Sequence, residues 1–215
     1  MRDGSVRRSV RAEETRQLIL IVAERLFAEC GLLSVSNRQI SEAAGQGNNA
    51  AVGYHFGGKA DLVRAIAKRH LDAVEKARGH MVAAVADSAD ARDWVSCLVR
   101  PLTEHLAALG DPTWFARFAA QAMTDPRFRE IMIDESLAAP TLWRVLDGCH
   151  RCLPDLPNPV RLARLDLANH LLLAVCAERE YALAHGLPTL RTSWTGTASG
   201  LIDAIVGILL APVAP

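Results

Sequence analysis

The sequence predicts an all-α fold of about nine helices, a small N-terminal three-helix unit leading into a larger helical body. Three observations predict it. Strict apolar–polar alternation, the mark of a half-buried strand, is missing, while Ala, Leu, Arg and Glu dominate. Apolar residues recur three and four apart, which lines them along one side of a helix. Strong breakers then cut the chain into helix-sized pieces: Gly110-Asp111-Pro112, Asp125-Pro126, Pro154 to Pro159 and Gly186-Leu187-Pro188.

Taken in order, the first helix runs from about Thr15 to Cys30, with Leu18, Val22 and Leu26 beside Ile19, Ala23 and Phe27 on one broad apolar face; Gly31 stops it. Ser36-Asn37-Arg38-Gln39 is a capping box, in which the Ser hydroxyl and the Gln side chain each take an orphan N–H, so a short second helix spans Asn37 to about Ala44. Gly45 and the polar turn Gln46-Gly47-Asn48 follow. Asn48 or Asn49 then caps a third helix that reaches Phe56, where Gly57-Gly58 breaks the chain. A fourth helix starts near Lys59 and continues to about Val85. Five longer helices are expected at about Ala91–Leu109, Thr113–Met123, Phe128–Cys152, Val160–His185 and Thr195–Leu210.

The 215 residues are 50% hydrophobic and 22% charged, an ordinary globular balance that excludes a disordered or collagen-like chain. Leu167 to Ala177 and Ala204 to Pro215 are the longest uncharged apolar stretches, too short for a bilayer span of about 20 residues. With no export signal after Met1 to Arg16, a cytoplasmic protein without membrane contact is expected. The zero net charge hides a split: eleven Lys and Arg against seven Asp and Glu in residues 1–70, thirteen against seventeen beyond. Such asymmetry marks a polyanion-binding segment joined to something else. Arg2, Arg7, Arg8 and Arg11 make residues 1–14 a basic flexible arm.

Cys30, Cys97, Cys149, Cys152 and Cys176 are an odd set, expected as free thiols in a reducing compartment. Cys149-His150-Arg151-Cys152 is a lone C-x-x-C without the further ligands that structural zinc needs, so no metal and no cofactor is expected. No nucleophile elbow, phosphate loop or H-E-x-x-H pattern is present; no catalytic residue, and no enzyme, is expected.

Two short helices joined by a tight Gly-containing turn and packed on a longer one form a helix-turn-helix. The second must be short enough to enter the major groove, about 12 Å wide, and apolar neighbours must hold it at a fixed angle. Ile40, Ala43, Ala44, Val52 and Phe56 suit the packing, while Ala50, Ala51 and Gly53 keep the outer side small.

Leu26-Phe27-Ala28-Glu29-Cys30-Gly31, then Arg38 to Gly45, then Tyr54-His55-Phe56-Gly57-Gly58-Lys59-Ala60-Asp61-Leu62 resemble the DNA-binding region of TetR-type transcriptional regulators. The resemblance covers about residues 15–63. It implies a homodimer whose residues 1–63 bind double-stranded DNA at a palindromic operator, with 64–215 binding an effector and forming the dimer. By position, Ser36, Asn37 and Arg38 are expected at the DNA backbone, and Asn48, Asn49, Ala50, Gly53, Tyr54 and His55 on or before the reading helix. Lys59, opening the fourth helix, is expected at a phosphate. The turn before the reading helix looks one residue longer than is common in the family, and Gly53 stands where a larger side chain is usual.

Two reading helices must sit about one DNA turn, roughly 34 Å, apart. The last two helices are expected to make that dimer, through residues among Leu165, Leu172, Val175, Ala182 and Leu183 and among Leu201, Ile202, Ile205, Val206, Leu209 and Leu210, with Gly200, Ala204 and Gly207 allowing close approach. A small-molecule cavity is expected among the middle helices, from Trp94, Cys97, Leu98, His105, Trp114, Phe118, Gln121, Met123, Trp143 and His170, for a largely hydrophobic, neutral or weakly acidic effector. The fourth helix would carry the signal to the DNA-reading end, so that the effector releases a repressor. The alternatives are a thiol-redox regulator using Cys149 and Cys152 or Cys97, and a structural helical dimer that reads no sequence.

Overall fold

The structure, a computed structural model, describes residues 3–48 and 50–213. Arg2 and Asn49 lie outside the described residues, as do the side chains of Arg7 and Arg8. Ten helices and no strand are present among the described residues: α1 (Asp3–Cys30), α2 (Asn37–Ala43), α3 (Ala51–Phe56), α4 (Lys59–Ala84), α5 (Ala91–Leu109), α6 (Phe115–Ala122), α7 (Pro126–Leu137), α8 (Pro140–Cys152), α9 (Asn158–Ala184) and α10 (Trp194–Leu210).

The count exceeds the sequence expectation by one, because the segment read as a single helix from Phe128 to Cys152 is two. Pro140 lacks an N–H and crowds the residue before it, so Ala139 turns extended (φ −82°, ψ 112°) and Pro140 restarts the chain as α8. At the other end, α1 begins at Asp3, where a flexible arm was expected.

In the N-terminal unit, Ile19, Ala23 and Phe27 of α1, Ile40 of α2, Val52 of α3 and Leu62, Val63 and Ile66 of α4 share one core with no exposed surface. Leu18, placed on the same face by its spacing, is instead 43% exposed. The capping box forms as expected: Gln39 N–H donates to Ser36 Oγ (3.2 Å) and Ser36 N–H to Gln39 Oε1 (2.8 Å).

The C-terminal unit is built around α5, which packs on α4, α8 and α10, while α9 closes over α6 and α10. The core runs through Val95, Cys97 and Val99 of α5, Val145 of α8, Cys176 of α9 and Ile205 of α10. Two fixed points hold it. Glu180 of α9, 1% exposed, accepts from Thr113 Oγ1 (2.7 Å) and from the backbone N–H groups of Ala116 (3.1 Å) and Arg117 (2.9 Å), so it caps the start of α6. Arg117 Nε adds a buried ion pair to the same carboxylate at 3.3 Å. Gly148 of α8 lies flat on the Trp94 indole of α5, with no room there for a Cβ.

Along the last two helices, Leu172 and Ala182 of α9 and Leu201, Ile202, Ile205 and Leu209 of α10 are buried within the subunit itself. Leu162, Leu167 and Tyr181 of α9 and Ala204, Gly207 and Leu210 of α10 are exposed. No helix among the described residues is long and apolar enough to cross a membrane.

Candidate functional site

The second short helix is held from behind and open in front. Ala51 and Val52 of α3 are buried against the core, while Ala50, Gly53 and Tyr54 face outward, Tyr54 with 83% of its surface free. Ala51 was expected on the outer side and is not there. A 100° step per residue explains this, since Val52 must face the core and carries its neighbour in with it. His55 is half-buried and meets the Tyr54 ring edge-on, with centroids 4.9 Å apart. Phe56 packs against the core under the Arg16 guanidinium, 4.8 Å from its ring centre.

The cap expected from Asn48 or Asn49 does not form: Ala50 is the N-cap, without a side-chain cap bond, and Asn48 instead tightens the turn before it, its Oδ1 accepting the Ala50 N–H at 2.9 Å. Gly45 (φ 65°) and Gly57 (φ 88°) bracket the pair of helices in the left-handed region that side chains resist. A Cβ on Gly57 would also lie 3.0 Å from the Asp61 carboxylate. Ser36 and Arg38 are exposed at the start of α2, Asn37 is half-buried, and Arg38 is held by Glu42 at 2.7 Å. That pairing and the adjacent carboxylate raise the Arg38 pKa above its ordinary value.

Lys59 departs from expectation. Its ammonium does not stand out toward a phosphate. It is partly buried and donates to the carbonyls of Leu32 (2.9 Å) and Val35 (2.5 Å), closing the loop between α1 and α2. Loss of water, and then the nearby Arg127, pulls its pKa down. The helix-start position signalled a cation; only the three-dimensional path of the α1–α2 loop shows two free carbonyls beneath it.

A cavity of about 330 Å³ lies among α4 to α9. Its walls are mostly apolar: Leu71 and Val74 from α4, Leu98 and Leu102 from α5, Phe115 and Ala119 from α6, Met132 from α7 and Leu172 from α9. Arg78, Ser136, Asp166 and Asn169 supply polar groups. Of the residues expected here, Leu98 and Met123 line the cavity; the others are engaged elsewhere. Trp94 stacks on Gly148 and donates its indole N–H to Ser88 O (3.0 Å), while Cys97 and Phe118 are core. Trp143 is 55% exposed and donates to Leu137 O (2.8 Å); His170 is exposed beside Asp166.

The remaining three sit at the junction with the N-terminal unit. Trp114 Nε1 donates to Glu29 (3.2 Å) and Gln121 Nε2 to the carbonyl of Ala28 (2.9 Å), both on α1. His105 Nε2 meets His70 Nδ1 at 2.8 Å, and His70 Nε2 meets the Glu24 carboxylate at 2.9 Å. The tautomers that satisfy this chain have His105 donating to His70 and His70 donating to Glu24. Burial, and then the adjacent His70, lowers the His105 pKa to about 4, so its ring is neutral near pH 7. Phe115 stacks on His70 with ring centres 4.0 Å apart, and Phe118 on Phe27 at 6.2 Å. Thus α6 presents one face to the cavity and another to α1. Aromatic and amide residues at helical spacing look alike from either side, which is why composition assigned them to the cavity.

Cys97, Cys149 and Cys176 are buried core groups, Cys152 is half-buried and Cys30 is exposed. Burial pushes Cys149 and Cys176 each up to about 12 and raises Cys97 and Cys152, the reverse of the low-pKa thiolate that thiol sensing requires. No group of three or more metal-ligating side chains occurs among the described residues.

Two short helices set across a third, the latter one held outward, and a fourth helix running into a helical body with a cavity define a helix-turn-helix protein with an appended ligand-sized chamber. Residues 19–66 match the profile of the bacterial regulatory proteins of the tetR family. It is 33% identical over 93 residues to the probable HTH-type transcriptional regulator ArpR of Pseudomonas putida and, to the same extent, to the HTH-type transcriptional regulator TtgR of the same species. Each match covers 43% of this chain and 41% of the relative, so the chain matches about two fifths of the length of these curated proteins. The fold is also that of the TetR family transcriptional regulator PfmR from Thermus thermophilus, at a TM-score of 0.51 and 15% identity over 92% of this chain and 96% of that one.

Proposed function

We propose that this protein is a ligand-responsive transcriptional regulator, a repressor that binds a palindromic operator as a dimer and is released by a small, largely apolar effector. The observation that carries the reading is α3: a short helix pinned by Val52, presenting the exposed Tyr54 beside Gly53 and Ala50, and mechanically joined to an apolar cavity. Ser36, Arg38 and Asn48 flank it on the same unit and suit backbone contact; His55 is the second aromatic of the reading surface. Lys59 belongs to the loop scaffold.

The exposed apolar residues Leu162, Leu167, Tyr181 and Leu210, with Ala204 and Gly207 between them, support α9 and α10 as the dimer surface. Two elements connect cavity and reading helix. One is α4, which leaves the α3 turn at Lys59 and reaches the cavity at Leu71, Val74 and Arg78. The other is α6, whose Phe115 and Ala119 face the cavity while Trp114 and Gln121 hold α1. An effector that wedges α6 outward must weaken operator binding by the same factor that the operator weakens effector binding.

Selection of bound sequences from random duplex DNA, followed by titration of the wild type and Tyr54→Ala, tests the reading. The expected result is a palindromic consensus and a loss of tenfold or more in the variant, with a melting temperature little changed because Tyr54 is 83% exposed. Binding that depends on salt but yields no consensus would instead favour a structural dimer that reads no sequence.

A further inference from the structure

We infer that Arg78 makes the cavity a receptor for a singly anionic amphipath, a carboxylate or phenolate carried on an apolar body. This rests on the reading of the cavity as the effector site and names the class of effector. Arg78 lies on the wall of a mostly apolar chamber and is only 7% exposed. A guanidinium has five N–H donors and is strongly stabilised by bidentate anions. Among the described residues, this one has a single acceptor, Glu75 Oε2, at a long 3.3 Å, and its Nε has no partner.

The neighbouring carboxylates are already committed. Glu75 takes the Thr141 N–H on one oxygen (2.9 Å) and the Thr141 hydroxyl on the other (2.5 Å). Asp166 pairs with Arg129 at 2.6 Å, toward the surface. Arg179, the other buried arginine with an unpartnered Nε, differs: it donates to the Arg191 carbonyl (2.5 Å) and stacks on Trp194. Arg78 thus combines deep burial, unfilled donors and an apolar cavity beside it. Leaving such donors unsatisfied is costly, and a ligand anion relieves it while its apolar body covers Val74, Leu102 and Leu172. At about 330 Å³ the chamber admits a compact ligand, at the small end of the range for such sites.

The test uses the full-length protein and two probe sets at neutral pH: decanoate with methyl decanoate and decanol, and 2-naphthoate with 2-naphthol. Titration calorimetry on the wild type should show at least one acid binding tenfold or more tighter than its uncharged partners. Arg78→Met should remove that preference while keeping the affinity for decanol or naphthol, and Arg78→Lys should restore part of it. Equal binding of acid and uncharged analogue by the wild type would overturn the anion assignment and leave the cavity reading intact. Failure of all five probes to bind would overturn both. The wild-type comparison decides the matter even where Arg78→Met does not fold.

Discussion

Gly148→Ala is a severe test of the α5–α8 packing that walls the cavity. A Cβ at Gly148 would sit 2.1 Å from Trp94 Cδ2 and 2.3 Å from Cε2 and Cε3. Non-bonded carbons rest at about 3.5–4.0 Å, so helix or ring must move by well over an ångström. The indole is not free to do so: its N–H is bonded to Ser88 O at 3.0 Å and Arg151 covers its face at 5.3 Å. Overpacking of this kind costs about 1–3 kcal/mol, and loss of a buried indole hydrogen bond about another 1–3. The expected total of about 2–6 kcal/mol lowers the melting temperature by about 4–24 °C in a chain of this length. Thermal unfolding followed by circular dichroism measures it. Gly79→Ala in α4 is the control: its Cβ would make an ordinary 3.7 Å contact with Thr141, so the helix-propensity gain of about 1 kcal/mol should appear as a small rise. A Gly148→Ala protein melting within about 2 °C of wild type would refute the packing argument.

Glu180→Ala should cost about 3–5 kcal/mol in chemical denaturation, because it strands the buried Arg117 and uncaps α6; a loss below about 1 kcal/mol would show that α6 is held otherwise. The His105 ring, with its pKa near 4 in the folded chain against 6.5 ordinarily, is full strength in its stabilising neutral form above pH 6.5. Between those values the unfolded chain binds a proton that the native ring refuses, so stability falls as pH drops from about 6.5 toward 4. The loss is about 1–2 kcal/mol once water reaching this half-buried ring is allowed for. Melts of wild type and His105→Asn across that range should converge toward pH 4, and parallel curves would contradict the shift. Lys59→Met should lower the melting temperature yet leave the salt dependence of operator binding unchanged, whereas a lost phosphate contact would reduce the slope by about 0.9.

The N-terminal unit was legible in detail because its signals are local. A capping box, glycines at turns and an apolar period each act within a few residues, and each reappears at Ser36, Gly45, Gly57 and Val52. The C-terminal helices were legible as helices, with α5 placed at its observed ends, but Ala139-Pro140 was passed over inside a strong apolar pattern. Cavity residues were hardly legible at all. Trp94 and Trp114 drew attention by type, yet which side of a helix meets empty space depends on how neighbours pack, a property of pairs of helices and not of any one. Arg78 gave no signal in the chain because a single arginine on a mixed helix reads as a solvated charge.

The fastening of α6 has a consequence for adaptability. Its start is secured by Glu180 and Trp114 and its last turn by Gln121, whereas Ala119 and the adjoining Met123 touch the chamber and take part in none of these attachments. Ala119 and Met123 therefore shape the chamber without fastening the helix, whereas Phe115 both lines the chamber and stacks on His70. Substitutions at Ala119 and Met123 can reshape what the chamber accepts while the attachments persist, which makes this helix a natural starting point for converting the protein into a sensor for molecules of chosen form.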